Sequence, residues 1–241
     1  MIENVTIVGM GALGILYGDL MERTLGPGHV RFIAEGERLT RLQQEGAWCN
    51  GRKCDFTVTD NTGEEAELLL FAVKMTALDE AMELAAPLVG EDTVILSLLN
   101  GVTSEEHIGQ TFGPGKILYC VAQGMDAVRE DNRLTYTQAG KLYLGLPEED
   151  YFDRGGEAGR CAGIFAAGRG PRRAGAGGDS PPHLGQVHAE RGREPGLHGL
   201  RLYLWSGPET RRSERHDDRR HARGEKGGGL PGRFGDAEGP V

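Results

Sequence analysis

The 241-residue chain lacks the features that mark membrane, secreted and zinc-binding proteins. Its apolar runs are shorter than the roughly 20 residues of a membrane-spanning helix. The start MIENVTIVGMG has neither the basic residues nor the cleavage site of a secretion signal. We therefore expect a cytoplasmic protein with no membrane partner. The cysteines have irregular spacing and no histidine cluster, so we expect free thiols and no metal at Cys49, Cys54, Cys120 and Cys161.

Branched aliphatic residues and methionine are scarce in residues 151–241. This region has one isoleucine, two valines and no methionine, but 21 of the 39 glycines. So little apolar surface cannot offset the entropy that a chain loses on folding. Charge divides at the same place: residues 1–150 hold 11 basic and 24 acidic residues (−13), and the rest hold 16 and 12 (+4), which sum to −9. The acidic first part argues against a nucleic-acid partner.

Short apolar strands alternate with helical patterns over the first 150 residues. Such alternation predicts an α/β fold with a mostly parallel sheet covered on both faces. We expect strands at 4–8, 29–34, 68–73, 93–99 and 116–121, helices at 12–25, 37–45, 78–88 and from 103 or 104 onward, and hairpins over 47–60 and 134–145.

The first strand leads into the first helix through Gly9-Met10-Gly11-Ala12-Leu13-Gly14, a G-x-G-x-x-G sequence. In this motif the first glycine permits the tight turn, the second lets a pyrophosphate approach the backbone, and the third lets helix and strand pack closely. The helix N-terminus then presents unpaired N–H groups to the phosphates. The motif in this position predicts a dinucleotide site in a Rossmann-type doubly wound sheet.

Glu35 follows the second strand at the distance expected for a ribose-binding acid. Such an acid accepts hydrogen bonds from the adenosine ribose and repels a 2′-phosphate. Arg38 and Arg41 lie close enough along the chain to neutralise a phosphate instead. The alternative role of Glu35 is that of a solvated loop carboxylate.

Lys74 and Asn100 follow two further strands of the predicted sheet. Ligands of doubly wound sheets bind beyond the carboxyl ends of the strands. Lys74 would there hold a cofactor phosphate or a substrate carboxylate. The Asn100 amide can both donate and accept hydrogen bonds, which suits a nicotinamide ribose and a substrate oxygen. Asn100-Gly101 is also a favoured turn pair, which would account for it without a ligand.

Taken in order, GMGALG, AEGERL, FAVK, LLNGV and LTYTQAGKLYLG resemble the ketopantoate reductase (2-dehydropantoate 2-reductase) family over roughly residues 1–150. The resemblance implies reduction of a small 2-oxo acid, ketopantoate, to pantoate by a nicotinamide hydride in pantothenate biosynthesis. Residues 9–14, Glu35, Arg38 and Lys74 would bind the cofactor, and Asn100 would contact both cofactor and substrate. The family commonly has arginine, which reads the 2′-phosphate of NADPH, where Glu35 stands. The resemblance therefore implies NADP as the cofactor, whereas the replacement by Glu35 favours NAD as the alternative. A homodimer is one assembly that we consider, and the sequence leaves the oligomeric state open.

The family's second, helical domain supplies a catalytic lysine and a substrate-binding carboxylate, and neither motif follows residue 150. An excess of Gly, Arg, Pro, Ala and His is what a GC-rich gene yields when it is read out of frame. With suitable synonymous codons, residues 183–190 read one nucleotide later give Thr-Trp-Gly-Lys-Phe-Met-Leu, which resembles the family's W-x-K helix. We infer a frameshift near Arg154-Gly155.

Two domains follow from this: a dinucleotide-binding domain at 1–154 and an aberrant Gly/Arg-rich region at 155–241, without a family-like helical pattern. We expect the chain as written to bind a dinucleotide weakly or not at all and to leave ketopantoate unreduced. Two other functions stay open. One is a non-catalytic dinucleotide-binding module with a basic tail, and the other is a related NAD-dependent 2-hydroxyacid dehydrogenase.

The frameshift is tested by resequencing the gene across codons 148–160. We expect the helical-domain motifs to continue downstream in a frame offset by one nucleotide. A single uninterrupted frame through the Gly/Arg-rich tract would reject the hypothesis.

Overall fold

The computed structural model describes residues 2–100, 103–147, 161, 188–191 and 200–206. The α-helices are α1 Ala12–Leu25, α2 Gly36–Glu45, α3 Leu78–Ala85 and α4 Thr103–Phe112, with 3-10 turns at Met75–Ala77, Ala86–Leu88 and Pro114–Lys116. The strands are β1 Val5–Val8, β2 Val30–Ile33, β3 Trp48–Cys49, β4 Arg52–Lys53, β5 Thr57–Thr59, β6 Leu68–Phe71, β7 Val94–Ser97, β8 Ile117–Gln123, β9 Val128–Glu130, β10 Arg133–Thr135, β11 Lys141–Pro147, β12 His188–Arg191 and β13 Leu200–Ser206. All of them lie within one unit of the chain, Met1–Thr210.

The main sheet has nine strands in the order β12-β13-β11-β8-β7-β6-β1-β2-β5. The six strands from β8 to β5 pair in parallel, and β11, β13 and β12 continue the sheet in antiparallel. The strand order β5-β2-β1-β6-β7-β8 is that of a doubly wound nucleotide-binding sheet. The predicted Rossmann-type fold class is therefore confirmed.

The central strands β1 and β6 are buried along their whole length because helices cover both faces of the sheet. Their side chains alternate between two cores. Leu68 and Leu70 pack in the core on the α1 face, which includes Tyr17, while Leu69 and Phe71 pack in the core on the α3 and α4 face. Burial on both faces explains why these strands read as unbroken apolar runs.

A second sheet, with the strand order β4-β3-β10-β9, contributes Cys49 and Leu134 to the core on the α1 face. The predicted hairpin at Asn50-Gly51 is present between β3 and β4, and both turn residues have positive φ. The hairpin is shorter than predicted, because β5 pairs with β2 in the main sheet.

The hairpin predicted over 134–145 is wrong. β10 pairs with β9 and β3 in the small sheet, whereas β11 pairs with β8 and β13 in the main sheet. The connecting segment is held by Asp126, whose carboxylate accepts hydrogen bonds from the Thr137 and Gln138 N–H groups at 2.8 and 2.7 Å. Alternation over a short segment indicates strands, but it does not indicate which strands pair.

β12 and β13 lie in the Gly/Arg-rich region, for which no strand was predicted. β13 covers LRLYLWS, in which leucines alternate with other residues, so a local strand pattern was present within an atypical composition. Its backbone pairs with β11 along seven residues. Most of the Gly/Arg-rich region and the domain boundary predicted at 154 lie outside the described residues. No helix in the described ranges is long and apolar enough to cross a membrane.

Two acidic side chains of α1 are buried where the helix meets the small sheet. Asp19 is 3% exposed and Glu22 is 5% exposed. Arg52 of β4 donates a charge-assisted hydrogen bond to Asp19 and lies 4.0 Å from Glu22, and Arg23 approaches Asp19 at 3.2 Å. Burial raises the pKa of Glu22. These cations offset the cost of removing the carboxylates from water.

The thiols of Cys49 and Cys54 lie beside the same carboxylate. The Cys54 thiol donates to Asp19 Oδ1 at 3.7 Å. Burial, together with the nearby charge of Asp19, raises the pKa of Cys49 to about 12 and the pKa of Cys54 above its ordinary value. Both groups therefore stay protonated and poorly nucleophilic near neutral pH. Cys49, Cys54 and Cys120 are free and buried, and Cys161 is buried.

Replacing Arg52 should expose the energetic role of this contact. We expect Arg52→Met to lower the free energy of unfolding by about 1–3 kcal/mol, because it leaves a buried carboxylate short of a partner. In an Asp19→Asn background the same substitution should cost less than half as much. Urea denaturation measures both values, with Lys53→Met as the control on the same strand. An equal cost in the two backgrounds would show that Arg52 does not act through Asp19.

Candidate functional site

A cleft of about 660 Å³ opens at the carboxyl ends of β1, β6 and β7. This is the point where the strand order of a doubly wound sheet reverses, and such sheets bind their ligands there. Its lining residues are Gly9, Met10, Gly11, Ala12, Leu13, Arg38, Arg41, Leu42, Ala72, Val73, Lys74, Met75, Thr76, Ala77, Leu98, Leu99, Asn100 and Arg129.

The three glycines of the β1–α1 loop have different roles. Gly9 has φ +103°, and a Cβ there would lie 2.7 Å from the carbonyl oxygen of Ala72. A Cβ on Gly14 would overlap the carbonyl oxygen of Gly9. Gly11 is different, since its φ of −85° suits any residue and a Cβ would meet only the Ala72 oxygen, at 3.5 Å. The fold itself requires Gly9 and Gly14, whereas Gly11 leaves open space on the cleft side.

The N-terminus of α1 faces this space without a side chain to cap it. Its N-cap residue is Gly11, and no acidic residue lies in its first turn. The Gly11 carbonyl accepts the Ile15 N–H at 3.0 Å, so the preceding amides of the helix lie ahead of its intrahelical bonds. Bare N–H groups and the positive end of the helix dipole form an anion site. The residues present therefore fit a diphosphate.

Four cationic side chains line the cleft: Arg38, Arg41, Lys74 and Arg129. Among the described residues that line it, none is acidic. This contrasts with the net charge of −13 over residues 1–150. A local excess of positive charge in an acidic domain concentrates anionic ligands in the cleft.

Most of the predicted site residues meet in this cleft. Lys74 follows β6 and Asn100 follows β7, and both are exposed at the same edge of the sheet. Gly14 lies behind the loop against Gly9 and does not line the cleft. Glu35 does not line it either; it is the exposed N-cap of α2, and its carbonyl accepts the Leu39 N–H at 3.1 Å. Gly101 lies outside the described residues.

Arg129 lines the cleft although no sequence pattern predicted it as a site residue. Met75 and Thr76 were also missed, although they directly follow Lys74 and could have been inferred from it. Arg129 carries no such signal, because it belongs to β9 of the small sheet rather than to a loop that follows a parallel strand.

The fold and the cleft together define a Rossmann-type α/β domain with a cleft suited to an anionic ligand. The family described as ketopantoate reductase PanE/ApbA matches residues 5–149. The chain belongs to this family, as its motifs predicted; the family is one of NAD(P)-dependent oxidoreductases.

Individual relatives agree with the family match. The chain is 27% identical to a 2-dehydropantoate 2-reductase of Aquifex aeolicus (strain VF5) over 151 residues, which are 61% of this chain and 48% of the relative. A crystal structure of 2-dehydropantoate 2-reductase from Geobacter metallireducens GS-15 matches with a TM-score of 0.56 and 27% identity, over 68% of this chain and 55% of that chain. A PanE/ApbA family ketopantoate reductase from Ralstonia eutropha JMP134 shares the fold, with a TM-score of 0.54 and 23% identity over 70% and 55%. The match spans about half the length of these relatives.

Substitutions in the glycine loop should separate its folding role from its binding role. We expect Gly14→Ala to lower the free energy of unfolding by about 1–3 kcal/mol, because the new Cβ overlaps the Gly9 carbonyl. Gly11→Ala should change it by less than about 0.5 kcal/mol while weakening NADPH binding at least tenfold. Urea denaturation and fluorescence titration measure the two effects. Undiminished NADPH binding by Gly11→Ala would show that the diphosphate does not bind at this loop.

Proposed function

We propose that this chain carries the cofactor half of a 2-dehydropantoate 2-reductase and that its cleft binds NADPH. The observation that carries the proposal is the meeting of an uncapped helix N-terminus with four cationic side chains at the reversal point of the sheet. A dinucleotide with an additional phosphate, followed by a carboxylate substrate, matches this charge. We place the reaction in the cytoplasm, in pantothenate biosynthesis.

Each side chain takes a role from its position. The amides at the start of α1 hold the diphosphate, and the space at Gly11 lets it approach the backbone. Lys74 neutralises a cofactor phosphate or the substrate carboxylate. Asn100 donates to and accepts from the nicotinamide ribose and the substrate oxygen. When bound, the reduced cofactor supplies a hydride to the carbonyl carbon of the 2-oxo acid.

NADPH rather than NADH is the cofactor that the cleft favours. At about 4 Å and an effective dielectric near 20, two like charges repel by about 4 kcal/mol, so an acid facing the 2′-phosphate would exclude NADPH. Glu35 is exposed at the start of α2 and does not line the cleft. Arg38 and Arg41 of the same helix do line it. This arrangement supports recognition of a 2′-phosphate, although the acid occupies the position where the family commonly has arginine.

The chain as written should lack turnover. Reduction of the ketone needs an acid that protonates the developing alkoxide and a wall that excludes water. Neither family motif for these functions appears after residue 150. The frameshift inferred near residue 154 would account for their loss. A non-catalytic dinucleotide-binding module is the second candidate, favoured by a cleft whose described lining lies entirely before residue 150.

An assay of two proteins tests the proposed function. The chain as written should bind NADPH weakly and should not oxidise it in the presence of ketopantoate. The frame-restored protein should bind NADPH and should oxidise it when ketopantoate is present. The loss of NADPH absorbance measures turnover. Turnover by the unrestored chain would contradict the loss of the catalytic half. NADPH binding without ketopantoate-dependent turnover by the restored protein would instead favour the non-catalytic module.

A further inference from the structure

Arg129 reaches the cleft from a different part of the fold than the other three cations. β8 ends at Gln123 at the same edge of the sheet as the cleft, and the chain then continues into β9, which belongs to the small sheet. On this path Met125 and Ala127 pack against the hydrophobic core. Arg129 itself is exposed and lines the cleft.

Several contacts fix the backbone that carries Arg129. It pairs with Leu134 of β10, whose side chain is 1% exposed. The Asp126 N–H donates to the Gln138 carbonyl at 3.2 Å, while the Asp126 carboxylate accepts from Thr137 and Gln138. A charged side chain on so well-anchored a strand loses little backbone entropy when it binds a ligand.

The same hairpin is attached to α2, the helix that carries Arg38 and Arg41. Asn132, in the β9–β10 turn, donates through Nδ2 to the Glu45 carbonyl at the end of α2 at 2.9 Å. Its own carbonyl accepts the Trp48 N–H at 2.9 Å. Arg38 and Arg41 are three residues apart and therefore neighbours on the helix surface. These contacts attach the β9–β10 turn to the C-terminal end of α2, and Arg129 shares the cleft lining with Arg38 and Arg41.

We propose that Arg129 is a specificity-determining residue that completes, with Arg38 and Arg41, a site for the 2′-phosphate of NADPH. α2 follows β2, and the adenosine ribose of a dinucleotide lies at the end of that strand in doubly wound folds. Three guanidinium groups that line one cleft repel one another unless an anion lies between them. A phosphate dianion supplies that charge and accepts bidentate hydrogen bonds. This inference rests on the proposed binding of NADPH in the cleft.

The test titrates the full chain and its variants with NADPH and with NADH, following nicotinamide fluorescence. We expect Arg129→Gln to weaken NADPH binding about tenfold or more, equivalent to about 1.4 kcal/mol, and to change NADH binding less than about twofold. Arg129→Lys should recover part of the NADPH affinity because it keeps the charge. The matched control is Arg133→Gln on the neighbouring strand, whose guanidinium stacks over the Trp48 ring at 4.8 Å and does not line the cleft. It should alter neither affinity.

The outcomes separate this inference from the proposed function. An equal loss of NADPH and NADH affinity in Arg129→Gln would overturn the assignment to the 2′-phosphate, and so would no loss of either. In both cases, NADPH binding by the unsubstituted chain would still support the proposed cofactor site. If only the frame-restored protein binds a dinucleotide, the same titration is made with its Arg129 variants. If neither that protein nor the unsubstituted chain bound a dinucleotide, the proposed site would fail and the inference with it. Circular dichroism shows whether Arg129→Gln has lost its fold. If it has, the ratio of NADPH to NADH affinity in Arg129→Lys tests the assignment instead.

Discussion

The close approach of the β1–α1 loop to β6 is the constraint on which the site depends. Gly9 lies against the Ala72 carbonyl, and Gly14 lies against Gly9, so a side chain at either position would push the loop away from the sheet. Because the backbone is this tightly packed, α1 begins directly at the carboxyl ends of β1 and β6. The uncapped end of the helix is thereby held where a diphosphate can reach it. At Gly9 and Gly14 the missing side chain is required for packing, and this packing in turn positions the end of the helix.

The cleft and the rest of the first 150 residues carry opposite charge. The domain as a whole is acidic, and two of its carboxylates, Asp19 and Glu22, are buried beside Arg52 at the junction with the small sheet. The cleft carries only basic side chains among its described charged residues. Acidic groups elsewhere give the domain its negative net charge, while the cleft retains a positive potential for anionic ligands. The small sheet contributes to both arrangements, through Arg52 on β4 and Arg129 on β9.

The relation to ketopantoate reductases holds for the part of the chain that forms the parallel strands and the cleft. Residues 5–149 match the family, and the relatives are about twice as long as the matched segment. Catalysis in such an enzyme needs groups on both sides of the cofactor, because the hydride and the proton reach the carbonyl from different partners. The matched half alone would supply only one of these two sides.

Local sequence determined the β1–α1 loop, the parallel strands and the placement of Lys74 and Asn100, because each depends on residues adjacent to a strand end. Tertiary structure decided the remainder. The 134–145 segment divides between two sheets, Glu35 does not line the cleft while Arg38 and Arg41 do, and Arg129 enters from β9. These outcomes depend on which strands pair across long separations and on which face of a helix meets the sheet. No pattern of neighbouring residues encodes either, since both follow from how the whole core closes.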